Sequence, residues 1–237
     1  MTYPLFLAEF EAPSIGDLIE VTGDEAHHFT VKRIALGEVV TVANGRGTAI
    51  IGPLAQVSPP TVRVEQVLTQ PATRRYVCVQ ALPKGDRAEL AVAQLTEAGI
   101  SEIIPWQAER SIVQWKGERA EKGLRRWQAA AREAAKVSRR FTVPQVSELH
   151  GTKAVCERIQ AAELAFVMHE EATTRLSELT QNPAEVLFVI GPEGGLTDGE
   201  LAAFTAAGAQ PVLLTDGVLR TSTAGLFALA QLQVVLK

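Results

Sequence analysis

Two segments of this chain are best equipped for chemistry: Gly191-Pro192-Glu193-Gly194-Gly195 and Leu219-Arg220-Thr221-Ser222-Thr223-Ala224-Gly225. The first directly follows the apolar run 186–190, and the second lies a few residues after Val212-Leu213-Leu214. Both open into helical patterns. Loops that leave the ends of buried strands stand where open α/β sheets bind ligands. Glycine lets a ligand approach the backbone closely, so amides and carbonyls meet it without side chains in the way. Taken alone, the first loop is equally a tight strand-to-helix turn. A second glycine-bearing loop 28 residues later, also after a strand, favours a shared site. Within that second loop stands Arg220, a charge that a site could use. Its bland alternative is a structural ion pair with Glu193 or Asp216.

Other chemistries lack their residues. The chain has no G-x-x-x-x-G-K-[ST] phosphate loop, no G-x-G-x-x-G after a strand and no G-x-S-x-G elbow. His27, His28, His150 and His169 have no zinc-ligand spacing with cysteines or carboxylates. His27 and His28 on one helix would point about 100° apart, so they cannot share a metal; they read as packing or RNA-contact residues, with packing favoured. No metal is expected. Cys78 and Cys156 read as small buried hydrophobes.

Net charge is −4, yet residues 110–140 hold ten Lys/Arg against three Asp/Glu, a local +7 against −11 elsewhere. Concentrated positive charge steers a polyanion. A helix over 118–140 would carry Leu124, Trp127, Ala131, Ala134 and Ser138 on one face and Arg125, Arg132, Lys136 and Arg139 nearly opposite. That basic face is either a solvated surface or a phosphate-binding ridge. Arginines at seven-residue spacing with no acid on their stripe favour RNA.

These residues need a frame. Residues 1–70 read as β-rich, with short runs at 5–7, 18–21, 39–42, 49–51 and 62–67 and a hairpin turn at Asn44-Gly45. Asp24 is placed to cap a short helix through Ile34. The stretch Thr69-Gln70-Pro71-Ala72-Thr73 breaks periodicity as a linker. Residues 74–237 alternate strands (76–82, 102–105, 164–168, 185–190, 211–214) with helices, which predicts an α/β fold with a mostly parallel sheet. One helix covers 87–98 and closes on Gly99; Thr197-Asp198-Gly199-Glu200 reads as a capping box. No apolar run reaches the roughly 18 residues of a membrane span. No charged segment followed by an apolar stretch marks an N-terminal signal, and the two cysteines suit a reducing compartment, so the expected location is the cytoplasm.

The two loops together resemble the signature of the RsmE family, 16S rRNA uridine-N3 methyltransferases of the knotted SPOUT class, with its GPEGG and LRTxTA loops. Further matches follow in order: His27-His28 with Val31-Lys32-Arg33, Leu82-Pro83-Lys84-Gly85-Asp86-Arg87, Glu97-Ala98-Gly99-Ile100, and Arg132-Glu133-Ala134-Ala135 before Ser138-Arg139-Arg140. The resemblance spans the chain. It implies a PUA-like RNA-binding β-barrel over 1–70 and a methyltransferase domain with a trefoil knot over 74–237. It implies S-adenosylmethionine (SAM) as methyl donor, held by Met168, His169, Gly191, Pro192, Gly194, Gly195, Leu214, Val218, Leu219 and Thr223. Arg220, between residues so assigned, is then the candidate catalytic group, because a fixed guanidinium would stabilise the negative charge that develops on uracil as N3 loses its proton. RNA would meet Arg33, Lys84, Arg87, Arg125, Arg132, Lys136 and Arg139. The implied substrate is small-subunit rRNA and the implied assembly a homodimer. Three departures stand out. The family's LRTETA glutamate is Ser222 here, the basic residue before that loop is replaced within Thr215-Asp216-Gly217-Val218, and the arginine often seen before the first strand is missing. Arg33 or Arg46 would have to replace that last contact. Rival readings are a related enzyme acting on tRNA or a ribose hydroxyl, and an RNA-binding assembly factor with a decayed pocket.

Overall fold

The computed structural model describes residues 3–71, 73–176 and 183–236, so Met1, Thr2 and Ala72 of the expected linker lie outside the described residues. Two compact units are present: Met1–Ala72 with Ala135–Val143, and Thr73–Ala134 with Pro144–Lys237. The return of 135–143 to the first unit was not foreseen by a linear division of the chain.

The first unit contains β1 (Leu5–Leu7), β2 (Leu18–Glu20), α1 (Gly23–Val31), β3 (Val39–Ala43), β4 (Thr48–Val57), β5 (Pro60–Arg63) and β6 (Gln66–Thr69). The strand order is β1-β3-β4-β5-β2, with β6 also on β4. β1 runs parallel to β3 and the other pairs are antiparallel. Phe6, Phe29, Val42, Ile50, Leu54 and Val62 form its core, where the Phe6 and Phe29 rings stack at 3.8 Å. The Asn44 carboxamide oxygen accepts the Arg46 and Thr48 amides at 2.9 and 3.1 Å, which closes the expected β3–β4 turn. Phe141 and Val143 pack on a smaller cluster with Leu5, Leu7, Ala43 and Ala49.

Two local expectations fail here for physical reasons. The single strand expected over 62–67 is two strands. Beyond Arg63 the chain changes partner, from Leu54 in the second half of β4 to Ile51 in its first half. The crossing runs over Gly52, where a Cβ would lie 1.7 Å from the Arg63 carbonyl oxygen, so only glycine admits it. Helix α1 begins at Gly23 with Thr22 at its cap, so Asp24 lies inside the first turn beside Glu25. Both carboxylates there complement the helix dipole without closing a side-chain cap. The helix ends at Val31, and Arg33 adopts a left-handed φ of 55°.

The second unit contains β7 (Arg75–Ala81), α2 (Arg87–Ala98), β8 (Glu102–Trp106), α3 (Glu118–Val137, of which 135–137 count with the first unit), β9 (Gln145–Val146), α4 (Thr152–Ala161), β10 (Leu164–Met168), β11 (Glu185–Ile190), α5 (Asp198–Ala206), β12 (Gln210–Val212) and α6 (Thr221–Val235). The sheet order is β12-β10-β11-β7-β8-β9, parallel at every pairing. Alternate residues serve opposite faces. Val77, Val79, Leu187 and Val189 pack with Val155, Ile159 and Phe204 from α4 and α5. On the other face α2 and α6 pack together, and α6 packs on β7 and β11. Burial on both faces explains why the central strands read as continuous apolar runs. Gly99 closes α2 with a left-handed φ of 93°. β12 stops at Val212, two residues before the expected end. The Leu213 amide turns to the Thr174 carbonyl, and the Leu214 carbonyl accepts the Gln231 side chain instead. The two-residue edge strand β9 carried no periodicity to detect. No described helix is long and apolar enough to cross a membrane.

Candidate functional site

The GPEGG loop leaves the carboxyl end of β11 and is pinned at its far side by α5. Thr197 and Glu200 form a complete capping box, with Glu200 buried. One Glu200 carboxylate oxygen accepts the Thr197 amide at 2.9 Å, and the other accepts the Glu109 amide at 2.8 Å. That second bond brings the chain after β8 against the loop. There Arg110 donates from one terminal nitrogen to the carbonyls of Gly194 and Leu196, at 3.2 and 3.0 Å. A Cβ on Gly194 would lie 3.1 Å from the Arg110 Cβ, a contact tight enough that Arg110 would have to give by a few tenths of an ångström. Gly195 has a left-handed φ of 72° and closes a turn onto the Pro192 carbonyl.

The second loop runs from β12 to α6. Its end is tied to the first by Thr221, whose hydroxyl donates to the Gly191 carbonyl at 3.1 Å. The Arg220 carbonyl accepts the Thr223 and Ala224 amides and starts α6. Both loops, with the end of β10, enclose a pocket of about 500 Å³. Met168, His169, Gly191, Pro192, Gly194, Gly195, Leu214, Val218 and Leu219 all line it, as does Arg220. Thr223 does not. Residues 220, 221 and 224 share the helix face turned to the pocket, and Thr223 lies off that face. Ser222, where the family pattern has a carboxylate, is buried in α6 and also outside the lining.

Arg110, Glu170 and Thr221 are among the lining residues to which sequence gives no role in the site. Arg110 was legible only as one of many basic residues, because nothing local marks it as a partner of a loop some eighty residues later. The cavity fits a small molecule with polar edges in size and lining. Its glycine backbone supplies amides and carbonyls, and Met168, Leu214, Val218 and Leu219 supply apolar walls.

Arg220 is exposed at this pocket and has no ion-pair partner among the described residues. Its two structural alternatives are engaged elsewhere. Asp216 pairs with Arg175, and Glu193 accepts the Lys84 amide at 3.1 Å. That last bond sets the Lys84 loop beside the GPEGG loop. Lys84 and Arg87 are both exposed. Burial in the sheet pushes the Cys78 thiol well above its usual range, which leaves it inert at neutral pH.

The expected basic ridge is altered. Trp127, Ala131 and Ala134 are buried on α3, and Arg125 and Arg132 are exposed opposite them, with Arg125 3.5 Å from Glu121. Arg139 lies beyond the end of the helix with a left-handed φ of 58°, so it leaves the stripe while remaining exposed. Lys136 is a correction. Its ammonium lies 2.8 Å from Glu25 and 3.1 Å from the His28 ring, and both carboxylate and ammonium are nearly buried. A cation held this way serves the fold of the first unit and is not presented to a phosphate. His27, expected to pack, is exposed, while Phe29 and Glu25 are the buried residues of α1. Arg33 is exposed at the end of α1, whereas Arg46 reaches the Phe10 carbonyl at 3.2 Å.

Comparison with known proteins agrees with this geometry. The family model of the RNA methyltransferase domain matches residues 70–233. The ribosomal RNA small subunit methyltransferase E of Mycobacterium tuberculosis is 40% identical over 233 residues, covering 94% of this chain and 88% of that protein. The crystal structure of a ribosomal RNA small subunit methyltransferase E from Neisseria gonorrhoeae, bound to SAM, superposes with a TM-score of 0.85 at 28% identity, covering 98% of this chain and 97% of that one. A Legionella pneumophila protein solved with SAM bound gives a TM-score of 0.89 at 26% identity, covering 99% and 98%. The glycine loops, the all-parallel sheet and this full-length similarity make the chain a member of the ribosomal RNA small subunit methyltransferase E family, built on the RNA methyltransferase domain.

Proposed function

We propose that the protein transfers a methyl group from SAM to N3 of a uridine in 16S rRNA. The observation that carries this reading is Arg220, which lines a pocket built from two glycine loops and has no ion-pair partner among the described residues. SAM, when bound, supplies an activated methyl on a sulfonium, so the leaving group is already in place and no metal is required. The chain's backbone groups at Gly191, Pro192, Gly194 and Gly195 hold and orient the donor, which is catalysis by proximity. N3 of uridine is protonated at neutral pH, and its proton passes to water as the new N3–methyl bond forms and the methyl–sulfur bond breaks. Negative charge then spreads over the uracil carbonyl oxygens. Arg220 stabilises that charge from the pocket wall. Ser222 is buried outside the pocket lining, so no step is assigned to it.

The RNA contacts belong to the same proposal. Lys84 and Arg87 flank the donor loop, Arg125 and Arg132 extend along α3, and Arg33 and Arg139 stand exposed in the first unit. We assign RNA binding to residues 1–70 and catalysis to 74–237, with the knotted crossing of the two loops and a homodimer as the resemblance implies. A ribosomal substrate supports a cytoplasmic location.

The test uses small ribosomal subunits from cells lacking the protein, incubated with purified protein and SAM, then digested to nucleosides for mass spectrometry. N3-methyluridine is the expected product. A ribose-methylated nucleoside, or methylation confined to tRNA, would replace this reading with another RNA methyltransferase. A protein that bound rRNA but neither bound SAM nor produced any methylated nucleoside would be an assembly factor.

A further inference from the structure

Arg110 lies outside both glycine loops, yet its side chain bonds the backbone at the end of the first, at Gly194 and Leu196. We propose that Arg110 is a positioning residue of the donor pocket: it locks the GPEGG loop in the shape that admits SAM. The inference rests on the SAM reading of the pocket given above.

A glycine-rich loop has many conformations open to it, and fixing each residue costs chain entropy. A peptide group is rigid, so holding its carbonyl also fixes the direction of its amide. Arg110 holds two such groups. The Gly194 carbonyl accepts from Arg110, and the amide of the same peptide, on Gly195, donates to the Pro192 carbonyl at 3.0 Å. The Leu196 carbonyl accepts from Arg110, and the amide of that peptide, on Thr197, donates to Glu200. Both peptides are thereby held at both ends. Arg110 is itself anchored, because the Glu109 amide is bound to the buried Glu200. Glu200 therefore fixes the loop twice, directly through its cap and indirectly through the backbone that carries Arg110. Arg110 also lines the pocket, so the locked loop is the wall the donor meets. Preorganisation of this kind raises affinity by removing the ordering cost from the binding step.

The experiment compares wild type with Arg110→Ala and Arg110→Lys. SAM affinity is measured by calorimetry, turnover is measured on small ribosomal subunits, and hydrogen exchange is followed over residues 190–198 in the free protein. Arg110→Ala is expected to exchange faster in that segment and to bind SAM about tenfold more weakly, with kcat at saturating SAM within about threefold of wild type. Arg110→Lys, whose ammonium can reach one carbonyl, is expected to recover part of the affinity. Unchanged exchange, unchanged SAM affinity, or a kcat loss as deep as that of Arg220→Ala would each overturn the proposal. A melting temperature close to wild type for Arg110→Lys guards against general unfolding. If the wild type itself binds no SAM, the donor reading fails, and the exchange data alone then decide whether Arg110 orders the loop.

Discussion

The Thr221 hydroxyl donates to the Gly191 carbonyl at 3.1 Å, so the first residue of α6 is bonded to the first residue of the GPEGG loop. The two residues stand thirty positions apart, at the roots of the two loops that shape the pocket. Neither loop can shift at its root without the other. Thr221 is buried, so removing the hydroxyl leaves the carbonyl without that donor in a place water reaches poorly.

Thr221→Val keeps the shape of the side chain and deletes the donor. Loss of a hydrogen bond worth roughly 1 kcal/mol is expected to weaken SAM binding about fivefold. Thr221→Ser keeps the hydroxyl and should stay within about twofold of wild type. Calorimetric titration with SAM checks both.

Arg220→Ala separates binding from chemistry. The guanidinium is assigned to the charge that appears only as N3 reacts, so kcat is expected to fall by about 10²–10³. SAM affinity should change less than about threefold, because backbone groups and not Arg220 hold the donor. Single-turnover methylation of small subunits, read beside SAM titration, tests the split. A parallel loss in both would return Arg220 to a structural role.

Gly52→Ala is expected to damage the first unit. The added Cβ would stand 1.7 Å from the Arg63 carbonyl oxygen, which is backbone and cannot swing aside. The β5 crossing must then move, at a cost of at least about 3 kcal/mol. Urea denaturation measures it. A change under about 1 kcal/mol would mean that the β4–β5 crossing is not as close as described.

Lys136 should act on stability and not on RNA. Removing it leaves the buried Glu25 carboxylate without its cation, and breaking such a pair costs about 3–5 kcal/mol. Lys136→Ala is expected to unfold at clearly lower urea, and Lys136→Met with Glu25→Gln should recover much of the loss. The salt dependence of RNA binding, measured below the unfolding transition, should keep its slope, whereas Arg132→Ala should reduce it by about one unit.

Much of the local grammar was legible in the residues themselves. The apolar runs at β7, β10 and β11, the Gly99 helix end and the Thr197–Glu200 capping box depend on neighbours a few positions away, and their patterns carry that information. So does the pairing of two glycine loops, since glycine after a buried strand signals close approach wherever it occurs. Long-range partnerships left no such trace. Nothing near Arg110 indicates Gly194, nothing near Thr221 indicates Gly191, and nothing near Lys136 indicates Glu25. Likewise the split of one expected strand at Gly52 came from a change of partner strand, and Thr223 left the pocket because helix phase, not nearness in sequence, decides which side chains face it. Local pattern is enough to mark which segments become strands and helices and which loops bring backbone close to a ligand, because propensity, periodicity and glycine's freedom act over a few residues. Which charges stay available and which carbonyls are held is settled by the folded chain, because that depends on groups brought together across many tens of residues by packing.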